Sequence, residues 1–152
     1  GFLLSLPLLG TLILYRECAV FARTLGALLG AGIPLIRALR VSREVVSNAV
    51  LNEQLQKVEE DVRGGAGLGV SLEKTRHFPT LLHQLVAVGE ESGRTSSILL
   101  KSAVTFDTYV RNQMSALVSA LQPALIIFLA IAVGGITITM LSAVFSMNSV
   151  EF

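Results

Sequence analysis

The sequence predicts an all-α fold, an antiparallel bundle of about six helices whose last long helix continues into a transmembrane span. Apolar residues recur at steps of three and four, and no run of four to eight residues alternates cleanly between turn residues as a strand would. Glycine and proline separate these helical stretches. No Asp, Glu, Lys or Arg stands between Arg111 and Glu151. This charge-free stretch places the span near the C-terminus.

The composition indicates one domain attached to a membrane. The chain has 152 residues, of which 52% are hydrophobic and 15% charged, which is too apolar for an ordinary soluble domain. The net charge of +1 gives no sign of a nucleic-acid partner, and we expect none. Because the sequence does not begin with Met, we expect it to be part of a longer protein.

The charge-free stretch at residues 124–145 is long enough to cross a bilayer, since a helix needs about 20 apolar residues to span roughly 30 Å. No ionisable residue lies inside it, which argues against an ion pathway. Small residues spaced by four, such as Ala130 and Gly134, favour helix contacts in lipid. Ordinary packing and specific oligomerisation both remain open.

The charge distribution sets the expected topology. All 12 Lys and Arg precede the span, together with 10 of the 11 acids, and basic residues near a span favour the cytoplasm. We therefore expect a juxtamembrane segment at residues 1–14, a cytoplasmic helical domain at 15–116, a transmembrane helix with its lead-in at 117–146 and an exterior tail at 147–152. The end of another span is the alternative for residues 1–14.

Helix boundaries are predicted from the spacing of apolar residues and from the residue types that are preferred at helix ends. Gly32 is expected as a C-cap and Pro34 as the first residue of the second helix. The expected helices are Leu12–Ala31, Leu35–Ser47, Val50–Arg63, Ser71–Arg76 with Ser71 as N-cap, Phe78–Gly93, and a last helix capped by Thr95 or Ser96.

The spacing of residues along these helices also predicts which faces are packed and which are exposed. Ala22, Gly26 and Gly30 stand four apart in the first helix, a spacing that lets another helix approach closely. Arginines of the second helix are expected in solvent, and residues 59–61 of the third helix are expected mainly on its solvent face. The last helix carries an apolar stripe at alternating steps of three and four, formed by Leu99, Ala103, Phe106, Val110, Met114, Leu117 and Leu121.

No catalytic or cofactor site is predicted. The glycine-rich stretch at residues 64–69 is followed by Lys74, but Glu73 stands where a phosphate loop needs glycine, and a helix precedes it instead of a strand. His77 and His83 are six apart, whereas helical metal pairs need three or four. We therefore expect no enzyme activity, no metal and no other cofactor.

Glu90 and Glu91 are the most informative charged pair. They lie between Gly89 and Gly93 near a predicted helix C-terminus, where carboxylates oppose the helix dipole. Three interpretations stay open: a solvated pair before a glycine cap, contacts with Arg or Lys in the bundle or on a partner, and a cation site.

Several segments together resemble the platform family of type II secretion protein F and type IV pilus assembly. They are Ala22-Arg23-Thr24-Leu25, Gly32-Ile33-Pro34-Leu35, Phe78-Pro79 and Val88-Gly89-Glu90-Glu91-Ser92-Gly93-Arg94, followed by the long last helix. The resemblance implies the second copy of a six-helix cytoplasmic domain with its final transmembrane helix. Gln122-Pro123 departs from the Glu-Pro common in the family. The implied structural or partner-contact candidates are Gly32, Pro34, Phe78, Pro79, Gly89, Glu90, Glu91, Ser92, Gly93, Arg94, Gln122 and Pro123.

The resemblance implies a non-enzymatic platform in the bacterial inner membrane, multi-pass in the full-length protein, with a cytoplasmic body and a periplasmic tail. Its partners would be a motor ATPase, other inner-membrane assembly components, pilin-like subunits, membrane lipid and further copies of itself. A fragment of a transporter or channel is the alternative, and a membrane-tethered enzyme is a third hypothesis.

Overall fold

The computed structural model of the chain describes residues 2–149. This part contains six helices and no strand, which confirms the all-α prediction. The helices are α1 (Phe2–Gly30), α2 (Leu35–Glu44), α3 (Ala49–Arg63), α4 (Leu68–Glu73), α5 (Thr80–Ser92) and α6 (Thr95–Ser149).

The chain divides into two compact units, a helical body at Gly1–Arg111 and a C-terminal unit at Asn112–Phe152. Helices α1–α5 and the first part of α6 belong to the body, and the remainder of α6 forms the C-terminal unit. The bounds of the four expected segments, at residues 1–14, 15–116, 117–146 and 147–152, stay predictions.

In the body, α1 packs closely against the first turns of α6. A Cβ atom at Gly26 would lie 3.0 Å from Cγ of Leu100, and one at Gly30 would lie 2.9 Å from Oγ of Ser96. The Ser96 hydroxyl donates a 2.7 Å hydrogen bond to the carbonyl of Gly26. The small residues of α1 therefore contact another helix, as the sequence predicted.

The contact between α1 and α6 continues in an antiparallel register. Arg23 pairs with Asp107, and Tyr15 stacks on Tyr109 with ring centroids 4.3 Å apart. Tyr15 also meets the edge of Phe106 at 5.5 Å, a geometry that aromatic rings favour. Residues early in α1 thus contact residues late in the body's part of α6, and residues at the end of α1 contact its start.

The core of the body lies between α1 and the shorter helices. It contains the apolar face of α3, formed by Leu51, Leu55, Val58 and Val62. Cys18 is fully buried in this core. Burial, with a smaller effect from the neighbouring carboxylate of Glu17, raises the pKa of the Cys18 thiol to about 12. The cysteine therefore behaves as a small hydrophobic residue.

Glycines end two helices at the same end of the body. Gly32 has a φ of 85° after α1, and Gly93 has a φ of 69° after α5, both in the left-handed region that L side chains rarely adopt. The N–H of Ile33 donates to the carbonyl of Leu28, and the N–H of Arg94 to that of Gly89. Each turn is a Schellman motif, in which carbonyls left over at the helix end find donors.

Helix boundaries differ from the predictions most in α1, α2 and α4. Helix α4 covers Leu68–Glu73 instead of Ser71–Arg76. Helix α1 begins at Phe2 instead of Leu12, because Pro7 lies in its second turn and removes only one backbone hydrogen bond there. Helix α2 ends at Glu44 instead of Ser47. Asn48 then caps α3, its side-chain oxygen accepting from the N–H groups of Val50 and Leu51.

In the C-terminal unit, α6 is apolar and exposed along its length. It contains a segment long and apolar enough to cross a membrane. The predicted stripe is buried at Leu99, Ala103 and Phe106, but Met114 and Leu121 are exposed. The reason is that the buried positions pack against other helices of the body, while those in the C-terminal unit have no such cover. Pro123 lies inside the helix.

Replacing Gly69 with alanine should destabilise the body by about 1–3 kcal/mol, the usual cost of overpacking. A Cβ atom there would lie 2.8 Å from the backbone nitrogen of Ala87 and 2.9 Å from its Cα, so a backbone has to move. Thermal and denaturant unfolding of the purified protein, followed by circular dichroism, measures the change.

Gly10→Ala is the matched control, since no atom lies within 4 Å of the added Cβ and alanine is the better helix former. It should leave the free energy of unfolding unchanged or raise it by up to about 1 kcal/mol. Equal destabilisation by both variants would contradict the close packing of α4 on α5.

Candidate functional site

A cleft opens at the end of the body where the α1–α2 and α5–α6 turns lie. Its volume is about 390 Å³. Its lining comes from five helices and the α5–α6 turn: Leu29, Leu35, Leu68, Glu90, Gly93, Thr95 and Ser96. The sequence-predicted Glu90 and Gly93 therefore meet residues that flank the predicted Gly32–Pro34 turn.

Glu90 binds the N-terminus of α4. Its Oε2 atom accepts a 2.8 Å hydrogen bond from the N–H of Leu68, and its Oε1 atom accepts a 2.7 Å bond from the N–H of Gly69. Both N–H groups belong to the first turn of α4, which has no partner for them within the helix. The negative carboxylate also faces the positive end of that helix dipole. We call this arrangement the Glu90 clamp.

The clamp depends on a glycine that lets α4 approach α5. A Cβ atom at Gly69 would lie 2.8 Å from the backbone nitrogen of Ala87, whereas one at Gly67 would lie 3.5 Å from Oε2 of Glu90, an ordinary van der Waals contact. Helix α4 therefore has its N-terminal cap supplied from α5. The predicted cap at Ser71 is wrong, because Ser71 lies inside α4 and its hydroxyl donates to the carbonyl of Gly67.

The neighbours of Glu90 have different surroundings. Gly89 is buried, and a Cβ atom there would lie 3.0 Å from Cα of Thr95, so it permits the tight passage from α5 to α6. Ser92 donates to the carbonyl of Val88. Glu91 and Arg94 are exposed, and within residues 2–149 neither side chain makes an ion pair. Glu90 thus contacts backbone N–H groups, whereas Glu91 faces solvent.

The remaining predicted candidates lie elsewhere. Phe78 is buried against Phe21, with ring centroids 6.0 Å apart, and Pro79 directly precedes the start of α5. They are at the opposite end of α5 from Glu90. Gln122 and Pro123 belong to the C-terminal unit and are exposed. The structure therefore brings together only the candidates around the two glycine turns.

Sequence reasoning missed one polar cluster. Glu59, expected on the solvent face of α3, is buried and lies against Arg40, Arg43 and Arg63. The signal was its spacing, because Glu59 follows the core residue Leu55 by four positions and stands beside Val58. We call this group the arginine cluster.

The cleft is suited to packing and hydrogen bonding. Three leucines supply apolar walls, and both oxygens of Glu90 are already engaged by α4. Within residues 2–149, no group of three or more His, Cys, Asp or Glu is placed to hold a metal ion.

Replacing Glu90 with glutamine should lower the free energy of unfolding by about 1–2 kcal/mol, because a neutral amide loses the charge-assisted bonds to α4. Hydrogen exchange at the Leu68 and Gly69 amides should accelerate. Glu91→Gln is the matched control, with the same charge change at the adjacent exposed position, and should stay within about 0.5 kcal/mol of the parent. Identical behaviour of the two variants would contradict the clamp.

Comparison with known proteins finds a family that this chain matches. Residues 21–143 match the family described as Type II secretion system (T2SS), protein F. The match covers most of the core of the body, the Glu90 clamp, the arginine cluster and nearly all of the charge-free stretch at residues 124–145.

Individual relatives come from both secretion and pilus systems. Over 148 residues the chain is 34% identical to the type II secretion system protein F of Pseudomonas aeruginosa, covering 97% of this chain and 36% of the relative. It is 37% identical over 149 residues to the protein of the same name from Xanthomonas campestris, covering 98% and 37%.

The type IV pilus assembly protein PilC of Pseudomonas aeruginosa is 32% identical over 148 residues, covering 97% of this chain and 40% of the relative. The chain thus spans about a third of the length of the curated relatives it matches. On the family match over most of its length, the chain belongs to the type II secretion system protein F family.

Proposed function

We propose that this chain is a cytoplasmic domain and the final membrane anchor of a platform protein in a type II secretion or type IV pilus machine. The observation that carries the proposal is the six-helix body whose last helix runs on into a charge-free apolar segment, in a chain of the protein F family. The platform couples a cytoplasmic motor ATPase to the assembly of pilin-like subunits and itself catalyses no reaction.

The proposed location is the bacterial inner membrane. The body is cytoplasmic and the tail periplasmic, which is supported by the placement of all 12 Lys and Arg before the apolar segment. The body would be the second copy of a repeated cytoplasmic domain in a multi-pass protein. Membrane lipid and further copies of the protein surround the exposed apolar length of α6.

The cleft is the proposed place where a partner contacts the body. A leucine-walled cleft at the end of a bundle accepts an apolar side chain, and the adjoining Glu91 and Arg94 offer charges for orientation. The Glu90 clamp fixes the wall at Leu68. Movement of α4 would therefore change the shape of the cleft, which is a route by which partner binding reaches the rest of the body.

The proposed function is tested by deleting the gene for the full-length protein and measuring secretion or pilus formation. Loss of either process, with restoration by the complete gene but not by one lacking the segment that encodes this chain, is the expected outcome. The truncated protein must be detected in the membrane fraction at normal level. Full secretion and piliation without the gene would exclude the platform role.

Alkaline phosphatase, which is active only outside the cytoplasm, should be active when fused after Asn148 of the full-length protein. The same reporter inserted in the α3–α4 connection at Gly65 should be inactive, because the body is cytoplasmic. Equal amounts of both fusions are verified by immunoblot. Activity at Gly65 and silence after Asn148 would reverse the proposed topology.

A further inference from the structure

The arginine cluster holds more positive charge than its buried acid requires. Glu59 has a side chain only 8% exposed. Arg40 Nε lies 3.2 Å and Arg63 Nη2 3.0 Å from its Oε1 atom, while Arg43 Nη1 lies 3.4 Å from Oε2. One guanidinium in a bidentate pair neutralises a carboxylate. Three of them leave the cluster with a net charge of two positive and with mutual repulsion.

Two of these arginines keep most of their donors free for an external ligand. The side chains of Arg40 and Arg63 are 54% and 53% exposed. A guanidinium carries five N–H donors, and among the described residues each of these two donates one hydrogen bond, to Oε1 of Glu59. The remaining donors therefore face solvent on the surface shared by α2 and α3.

Glu59 orients these donors in advance. Its carboxylate fixes one side of each guanidinium, so less side-chain freedom is lost when a second anion binds the other side. Arg43, the most buried of the three at 24% exposure, forms an ion pair at 3.4 Å with Oε2 of Glu59, which accepts no hydrogen bond from the described residues. A buried acid surrounded by partly exposed arginines is thus a rigid base for recognising carboxylates or phosphates.

The neighbouring charges distinguish between possible anionic partners. Glu44 follows Arg40 by four residues and Glu60 precedes Arg63 by three, so both share helix faces with the exposed arginines, and both are exposed. Counted with these two acids, the surface carries three positive and three negative charges, so a uniformly anionic bilayer gains no net attraction. A protein surface can place its own carboxylates at the arginines and avoid the glutamates, which favours a protein partner.

We propose that the arginine cluster on α2 and α3 is a docking surface for an acidic segment of a partner protein. The inference deepens the proposed platform function and rests on it for the presence of such a partner beside the body. Recognition occurs through carboxylates that bind the outer N–H groups of Arg40 and Arg63. The surface is separate in its residues from the leucine-walled cleft.

The test titrates a fluorescein-labelled peptide of alternating Glu and Ser onto the full-length protein in nanodiscs of phosphatidylcholine, at low ionic strength. Fluorescence anisotropy measures binding. The double variant Arg40→Gln/Arg63→Gln should weaken binding by about tenfold or more, because both outer forks are lost. Arg43 remains to pair with Glu59, and a circular-dichroism melt checks that the body stays folded.

The matched control is Arg16→Gln/Arg76→Gln, which makes the same charge change at two exposed arginines outside the cluster. It should alter binding by no more than about twofold, because Glu59 does not orient the donors of these two arginines. If the glutamine pair at the cluster unfolds, Arg40→Lys/Arg63→Lys replaces it. Lysine keeps the charge but not the fork, so binding should still weaken by about threefold or more.

Absence of peptide binding by the parent protein, or equal losses in the cluster and control variants, would overturn the proposal. So would binding of phosphatidylglycerol vesicles that depends on Arg40 and Arg63 while peptide binding does not. The same variants are then assayed for secretion or piliation. Failure of the parent gene to restore either process rejects the platform function, whereas the peptide titration judges the docking surface by itself.

Discussion

The close approach of α1 and α6 is the constraint on which the body depends. Gly26 and Gly30 have no side chains, so Ser96 and Leu100 reach the backbone of α1 and the Ser96 hydroxyl bonds to a main-chain carbonyl. This contact joins the first and last helices of the body in an antiparallel register that the Tyr15–Tyr109 stack and the Arg23–Asp107 pair extend. It also fixes the start of α6 beside the α1–α2 turn, which is the geometry that creates the cleft.

The cleft shows how one side chain resolves two electrostatic problems. A carboxylate at the C-terminus of α5 opposes that helix dipole, and the short helix α4 begins with unbonded N–H groups. The Glu90 carboxylate lies at the C-terminal end of α5. It accepts hydrogen bonds from the N–H groups of Leu68 and Gly69 at the start of α4. A helix of six residues is marginal by itself, so its stability has to come from such contacts. The Glu90 clamp therefore links α4 to the turn that leads into α6.

The polar surface and the apolar segment divide the proposed work between the two units. The body carries all of the arginines and lysines, and its polar contacts include the buried Glu59 and the backbone N–H groups bound by Glu90. The C-terminal unit carries a charge-free and mostly apolar helix surface, which is stable only in contact with lipid or with other apolar helices. A family with relatives in both secretion and pilus assembly agrees with the proposal that this chain holds partners beside a membrane.

The sequence alone predicted the helical class, the number of helices and the apolar segment, because periodicity, glycine turns and absence of charge are local properties of the chain. The buried face of α3 and the caps at Gly32 and Gly93 were predictable for the same reason. The family resemblance came from short segments such as residues 88–94. The partner of Glu90, the cap of α4 and the burial of Glu59 were decided only by the tertiary structure. Apart from the Glu59–Arg63 pair within α3, each of these contacts joins residues of different helices that are 16 to 22 positions apart. Helix spacing shows which face a residue occupies, but only packing decides what stands opposite it.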